Sequence, residues 1–200
     1  MIETELKALV PDVAAARRRV ESAGGRMTFS GRLEDRRYDR SEPSLASLDH
    51  VLRLRVYRDG SGNVSRASLD WKGPSSTSGA YKQREELNCE VASRPEQLAQ
   101  ILDRLGFTVT MQIDRQIWQY ELEEAVVRFE RYPRMDDLVE VEGTPDAIER
   151  AIATMGLERD SFTTERLPDF VRRYEARTGR IAALSDAELA GAVRYDVSNA

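Results

Sequence analysis

The sequence predicts an α+β fold in which an antiparallel sheet curls around a charged interior and carries helices on its outer, apolar face. Three observations lead there. Six short segments alternate charged and apolar residues at period two, and their charged positions mix both signs. Three stretches show helical apolar spacing bounded by start or stop signals. The 200 residues, 40% of them hydrophobic, suffice for one core, and no composition break calls for a second domain. A single alternating strand is explained by the default of a half-buried sheet, polar side out. Six such strands with mixed Arg, Lys and Glu are better explained by a sheet whose charges turn inward.

Glu3-Thr4-Glu5-Leu6-Lys7 opens the chain, and because residues i and i+2 of a strand share a face, Glu3, Glu5 and Lys7 line one surface with Leu6 on the other. Pro11 to Gly24 reads as a helix with Val13, Ala16 and Val20 on one stripe and Gly24-Gly25 as its stop. In Leu52-Arg53-Leu54-Arg55-Val56 the two guanidiniums oppose three apolar residues. Arg58 to Ser65 is a hairpin loop leading to Ser68-Leu69-Asp70-Trp71-Lys72, where Asp70 and Lys72 oppose Leu69 and Trp71; Gly73 to Ala80 reads as a second hairpin loop. Arg84 to Val91 sets Arg84, Glu86, Asn88 and Glu90 together, with Leu87, Cys89 and Val91 behind them.

Arg94-Pro95 to Gly106 is a second helix, its stripe formed by Leu98, Ile101, Leu102 and Leu105. Val126 to Glu130 adds Arg128 and Glu130, and Leu138-Val139-Glu140-Val141-Glu142 adds two carboxylates opposite Val139 and Val141. Thr144-Pro145 is an N-cap followed by proline at the first helical position, after which Ala147, Ile148, Ala151, Ile152 and Met155 run to Gly156. The order of charged strand, helix and strands occurs twice, a loose internal duplication. One domain over residues 1–180 is expected, with 181–200 an Ala-rich tail or a short helix capped at Ser185.

A net charge of −5 argues against a nucleic-acid partner, so the arginines need a local explanation. No apolar run approaches a membrane span and no secretory signal is present, which gives a soluble, cytoplasmic expectation. The single cysteine, Cys89, excludes an internal disulfide and reads as a core thiol. His50 has no Ser or Cys partner nearby and reads as structural, as do Trp71 and Trp118 as packing residues. Gly60-Ser61-Gly62-Asn63 lacks the Gly-Lys-Ser/Thr ending of a phosphate loop, and zinc lacks its ligands. If the charged faces turn inward, Glu3, Glu5, Glu140 and Glu142 converge as hard oxygen donors for Mg2+ or Mn2+, ringed by Arg and Lys. That combination suits a polyphosphate bridged by metal.

In order and spacing these residues resemble the CYTH group, the triphosphate tunnel metalloenzymes that include class IV adenylyl cyclase and thiamine triphosphatase. The resemblance runs from Met1 to about Gly156. It rests on Glu3-x-Glu5-x-Lys7, Tyr38-Asp39, Leu52-Arg53-Leu54-Arg55, Lys72-Gly73-Pro74, Arg84-x-Glu86, Arg115 and a closing Glu140-x-Glu142; the Lys-Gly-Pro and Leu105-Gly106-Phe107 look most like the cyclase-type bacterial branch. It implies a closed eight-stranded antiparallel barrel with a tunnel. In it Glu3, Glu5, Glu130, Glu140 and Glu142 hold Mg2+ or Mn2+, while Lys7, Arg53, Arg55, Lys72, Arg84, Arg115 and Arg128 grip the triphosphate. Glu3, Glu5, Lys7, Glu130 and Arg115 are the residues it makes catalytic.

The substrates implied are ATP, cyclised to cyclic AMP and pyrophosphate, or inorganic, thiamine or nucleoside triphosphate, hydrolysed; a homodimer is also implied. A binding module that retains the tunnel without turnover is the non-enzymatic alternative. Four positions depart from the pattern: Glu130 replaces Asp, Ile113 stands where Lys is common, Asn88 replaces an acidic residue, and Arg166-Leu167-Pro168 replaces a Ser-Tyr element. Loss of the Lys weakens the grip on phosphate, with Arg128 or Arg166 available to offset it.

Overall fold

A computed structural model describes residues 2–42, 44–91 and 94–196. Its strands are β1 (Ile2–Leu9), β2 (Arg26–Arg40), β3 (Val51–Arg58), β4 (Val64–Ser78), β5 (Tyr81–Glu90), β6 (Phe107–Leu122), β7 (Ala125–Arg131) and β8 (Leu138–Gly143). They form a closed antiparallel barrel in the order β1-β5-β4-β3-β2-β6-β7-β8. Helices α1 (Val13–Ser22), α2 (Pro95–Arg104), α3 (Pro145–Met155), α4 (Leu167–Thr178) and α5 (Asp186–Leu189) surround it. None of them, among the described residues, is long and apolar enough to cross a membrane.

The first and third helices form where their caps and apolar spacing place them. Asp12 Oδ1 accepts from Ala15 N–H at 2.8 Å to start α1, and Thr144 Oγ1 accepts from Ala147 N–H to start α3, which ends at Gly156 with φ 63°. Val13, Ala16 and Val20 of α1 and Ile148, Ala151, Ile152 and Met155 of α3 bury together against Leu6, Tyr120, Val127, Phe129, Val139 and Val141 on the outer barrel wall. Each of the larger side chains there contributes roughly 1.5–3 kcal/mol by leaving water.

The other side of the barrel is barer than the alternation implies. Only Leu102 of the expected α2 stripe is buried; Leu98 is partly covered, while Ile101 and Leu105 are 54% and 62% exposed. The helix rests on Tyr38, Leu54 and Val56 through Leu98, Ala99 and Leu102, which rotates Ile101 away, and Leu105 lies past its last turn. Leu87 does point outward but is 57% exposed, and Cys89 is exposed rather than a core thiol. Beyond Tyr81, whose hydroxyl meets Glu149 of α3, no described helix covers the outer face of β5 to any extent.

The Gly73–Ala80 segment is strand rather than loop. β4 continues to Ser78 through a register shift between Lys72 and Ser75, leaving Gly79-Ala80 as the turn. A Cβ on Gly73 would sit 3.0 Å from the Trp71 ring, so the bulge is shaped around that contact. The segment after residue 180 docks on the barrel: Ala183 pairs with Arg134 in both directions, Asp114 N–H donates to Leu184 O at 2.8 Å, and Ser185 caps α5. Met1 and residues 197–200 of the expected tail lie outside the described residues.

Two apolar clusters bound the charged interior. Leu33, Tyr57 and Ile117, with Phe29 against them, are inward by register and fill the end where β3 finishes; the Phe29 and Tyr57 rings meet edge to face at 5.2 Å. A Cβ on Gly31 would lie 2.1 Å from Arg58 O, so only glycine lets the strands close there. At the other end α4 places Leu167, Phe170, Val171 and Tyr174 against Met111, Ile113, Tyr132 and Leu138. The interior is thus a charged band between an apolar plug and a helix.

Candidate active site inside the barrel

Strand parity carries the charges inward without a break around the ring. Opposite residues of an antiparallel pair share a face, and the register links Glu5 to Lys82, Glu3 to Arg84, Lys72 to Glu86, Arg53 to Asp70, Arg37 to Arg53, Asp35 to Arg55, Glu130 to Ile117, Arg128 to Glu140, and Lys7 to Glu140. Glu3, Glu5, Lys7, Arg53, Arg55, Lys72, Arg84, Arg115, Arg128, Glu130, Glu140 and Glu142 all lie on this one inner surface. Among the described residues, a cavity is lined by nine basic side chains, Lys7, Arg37, Arg53, Lys72, Lys82, Arg84, Arg115, Arg128 and Arg166, against three carboxylates, Glu5, Glu130 and Glu140. A wall so dominated by cations suits an anionic ligand.

The cations and carboxylates are interlaced. Lys7 bridges Glu5 at 3.0 Å and Glu140, and Arg128 reaches Glu140 at 2.5 Å and Glu142 at 3.3 Å. Lys72 lies between Glu3, at 3.0 Å, and Glu86, while Lys82 joins Glu5. Arg115 meets Glu130 at 3.1 Å, and Tyr132 donates to the other oxygen of Glu130 at 2.5 Å. Arg55 is inward but matched by Asp70, which also takes Arg53 at 3.1 Å, and it does not reach the cavity wall. Asp35 is fully buried near Arg53 and Arg115, at 3.5 and 3.8 Å.

These surroundings split groups of one kind. Burial pushes the Glu142 carboxyl well above the usual range, and the nearby Glu3 and Glu140 charges add to this against Arg128. Glu140, two residues away, is held well below that range because Lys7 and Arg128 outweigh its burial. Lys7 is raised, its burial outweighed by Glu140 and Glu5. Lys72, depressed by burial and by Arg53, falls to about 8, and burial brings Arg37 to about 10.

One oxygen from each of Glu3, Glu5 and Glu142 lies within 4.8 Å of the other two. Three hard oxygens at that spacing fit Mg2+ or Mn2+, whose carboxylate oxygens sit at about 2.1 Å in an octahedral shell. Of the five carboxylates implied by resemblance, Glu130 and Glu140 are not members of this trio: Glu130 is engaged by Arg115 and Tyr132, and Glu140, which hydrogen-bonds Glu142, by Lys7 and Arg128. Ile113, in place of a common Lys, is fully buried against α4, and Asn88 is exposed.

Sequence reasoning missed Arg37, Lys82, Asp35 and Tyr132, while Arg166, named there as able to offset the missing Lys, does line the cavity. Parity carried back from Arg84 yields Lys82, a signal that reading Gly73–Ala80 as a loop hid. Tyr38-Asp39 does not present a ligand to the cavity: Asp39 accepts N–H groups of Arg40, Ser44, Leu45 and Ala46 at 2.7–3.1 Å and shapes the β2–β3 connection. His50 packs edge to face on Trp71 at 5.1 Å, the structural role expected of both.

A family model described as the CYTH domain matches residues 1–181. A search of curated proteins by sequence found no match. Among solved structures, a Vibrio parahaemolyticus protein described as a candidate adenylate cyclase aligns with TM-score 0.69 at 17% identity, covering 86% of this chain and 98% of its own. A Pyrococcus horikoshii protein aligns with TM-score 0.68 at 21% identity, covering 89% and 99%. A Hippeastrum candidate adenylyl cyclase, described as having a dominant triphosphatase activity, aligns with TM-score 0.57 at 16% identity over 92% and 98%. At these identities the likeness concerns the fold.

Proposed function

Since the chain belongs to the CYTH domain family, we propose that it is a divalent-metal-dependent enzyme acting on a triphosphate held inside its barrel. The observation that supports this best is the placement of the Glu3, Glu5 and Glu142 trio beside a cavity lined by nine basic side chains. Glu3, Glu5 and Glu142 would hold Mg2+ or Mn2+, which when bound neutralises phosphate charge and polarises the phosphorus under attack. Lys7, Arg53, Lys72, Arg84 and Arg115 bind and orient the phosphoryl oxygens. Because their positions are fixed by strands and ion pairs before the substrate arrives, little reorganisation is needed as charge moves onto the bridging oxygen. Glu130 and Glu140 hold Arg115, Lys7 and Arg128 in place and complete the wall.

Two reactions use this arrangement and differ in the nucleophile. Attack of the ribose 3′-hydroxyl of ATP on the α-phosphorus gives cyclic AMP and pyrophosphate, the first reading, which rests on the resemblance of Lys72-Gly73-Pro74 and Leu105-Gly106-Phe107 to the cyclase-type branch. Attack of water on the terminal phosphorus gives orthophosphate and the diphosphate. The second reading needs no room for a base, and the described lining carries Val51, Leu167 and the Tyr132 ring as its apolar parts. Incubation with ATP, inorganic triphosphate and thiamine triphosphate, each with Mg2+ or Mn2+, followed by mass identification of products, separates the two. Retained triphosphate binding without turnover of any of them would overturn the enzyme reading and leave a binding module. A cytoplasmic homodimer is part of the same proposal, checked by sedimentation.

A further inference from the structure

At the rim of the cavity one carboxylate gathers four parts of the chain. Asp49, in the β2–β3 connection, accepts from Ser75 N–H at 2.7 Å and Ser75 Oγ at 2.8 Å, and Arg84 reaches its Oδ1 at 3.3 Å. Arg166, the N-cap residue of α4, closes a two-toothed grip on it, Nη1 to Oδ1 and Nη2 to Oδ2, both at 3.0 Å. Arg166 lines the cavity and Asp49 does not, although the Arg166 side chain is 44% exposed. A guanidinium fork that fits a carboxylate fits a phosphate equally well, and an ion pair this open to water holds weakly. The helix that presents Arg166 packs Leu167, Phe170, Val171 and Tyr174 into the cluster that holds Ile113, so the position that lacks a Lys lies in the footing of the element that carries an Arg.

We infer that Arg166 is a substrate-binding residue specific for the phosphoryl group nearest the mouth, which it takes in exchange for Asp49, so that it selects for triphosphates over shorter phosphates. This rests on the triphosphate reading of the barrel. A phosphoryl group at the rim carries more charge than the Asp49 carboxylate and meets Arg166 and Arg84, the two cations Asp49 now holds, from the cavity side. The exchange therefore favours the ligand only when the ligand is long enough to reach the rim.

The test is calorimetric binding of inorganic triphosphate and of pyrophosphate, each with Mn2+, to the wild-type protein, Arg166→Ala, Arg166→Lys and Asp49→Asn, with thermal unfolding of each. Arg166→Ala is expected to weaken triphosphate binding by roughly ten- to a hundredfold and to leave pyrophosphate within about twofold. Arg166→Lys restores part of the triphosphate affinity. Asp49→Asn keeps its place beside Ser75 but releases the fork, and triphosphate binds more tightly. If Arg166→Ala binds triphosphate like the wild type, or if Arg166→Ala and Asp49→Asn weaken both ligands in step with lost thermal stability, Arg166 is a structural latch and the inference falls. A wild-type protein that binds neither phosphate defeats the triphosphate reading instead, which separates the two failures.

Discussion

The wall formed by β1 and β8 and the wall formed by β5 begin from the same sequence pattern, apolar and charged residues in alternation, and meet different fates. On β1 and β8 the outer residues Leu6, Val139 and Val141 are at most 1% exposed beneath α1 and α3. On β5 the outer residues Leu87 and Cys89 stand in solvent. The inner faces do not differ in this way: Glu5 and Glu142 on one wall and Lys82 and Arg84 on the other are all held in ion pairs. Alternation therefore determines which face a residue occupies, and the presence or absence of a helix determines what that face costs to change.

The largest expected contrast breaks the two walls apart. Val139→Asp places a charge in a dry interface and should destabilise by more than about 4 kcal/mol, whereas Leu87→Asp on the open wall should change stability by less than about 0.5 kcal/mol. Urea unfolding of the two variants measures both, and equal losses would show that a second cover lies over β5.

Inner-face changes should instead look alike on both walls. With triphosphate substrate and Mn2+, Glu5→Gln is expected to lower turnover by about a hundredfold or more and Arg84→Ala by at least about tenfold, with urea midpoints much closer to wild type than that of Val139→Asp. Arg177→Ala removes an exposed guanidinium that meets Asp136 at 2.6 Å on the surface, and its rate should match the wild type. Steady-state kinetics on the three variants is the check.

A finer comparison lies within the acidic groups. Glu142→Gln should weaken Mn2+ binding in the presence of triphosphate by about tenfold, because it removes a donor charge from the trio. Glu130→Gln should weaken it less and act on substrate affinity through Arg115. Isothermal titration of Mn2+ into both variants decides whether the metal site is the trio or the larger set implied by resemblance.

The smallest effect concerns the β2–β3 connection. Backbone N–H groups of Ala46, Leu45, Arg40 and Ser44 hold the Asp39 carboxyl below its usual range although burial opposes them. A depressed carboxyl stabilises the fold above its unfolded value, near 3.9, and that stability is lost as pH falls through the lower folded value. Asp39→Asn should be less stable than wild type by about 1 kcal/mol near neutral pH, and the gap should narrow below about pH 4. Thermal melts across that range report it.

Much of the barrel was legible because a strand with one charged and one apolar face shows its parity directly, as in Glu3-x-Glu5-x-Lys7 and Glu140-x-Glu142. β2 was not. Glu34-Asp35-Arg36-Arg37 is charged at every position, with Asp35 and Arg37 inward and Glu34 and Arg36 held outside by Arg58 and Asp114, so charge alone could not reveal which side was which. Leu33, Tyr57 and Ile117 carry no charge to mark the inner face, and they fill the interior. Bare β5 and the far half of the α2 stripe were hidden for another reason: coverage depends on where helices dock, which local periodicity does not encode. Arg166 and Tyr132 reach the cavity from outside the strands, where parity has no bearing.

Closure of the ring also restricts how such a chain can change over generations. In an open sheet, a residue gained inside an edge strand can be absorbed by slippage of that strand alone, but here every strand has two partners and the inner face must agree all the way round. A single added residue in β8 would turn Glu140 and Glu142 toward α3 and Val139 and Val141 into the cavity, with no neighbour free to follow. The register shifts that the barrel does carry stand at the margins of the charged runs, between Met27 and Phe29, after Arg37, after Tyr57 and after Lys72. Lengthening is then confined to turns such as Asp59–Asn63, and the interior can drift in residue identity while staying fixed in count.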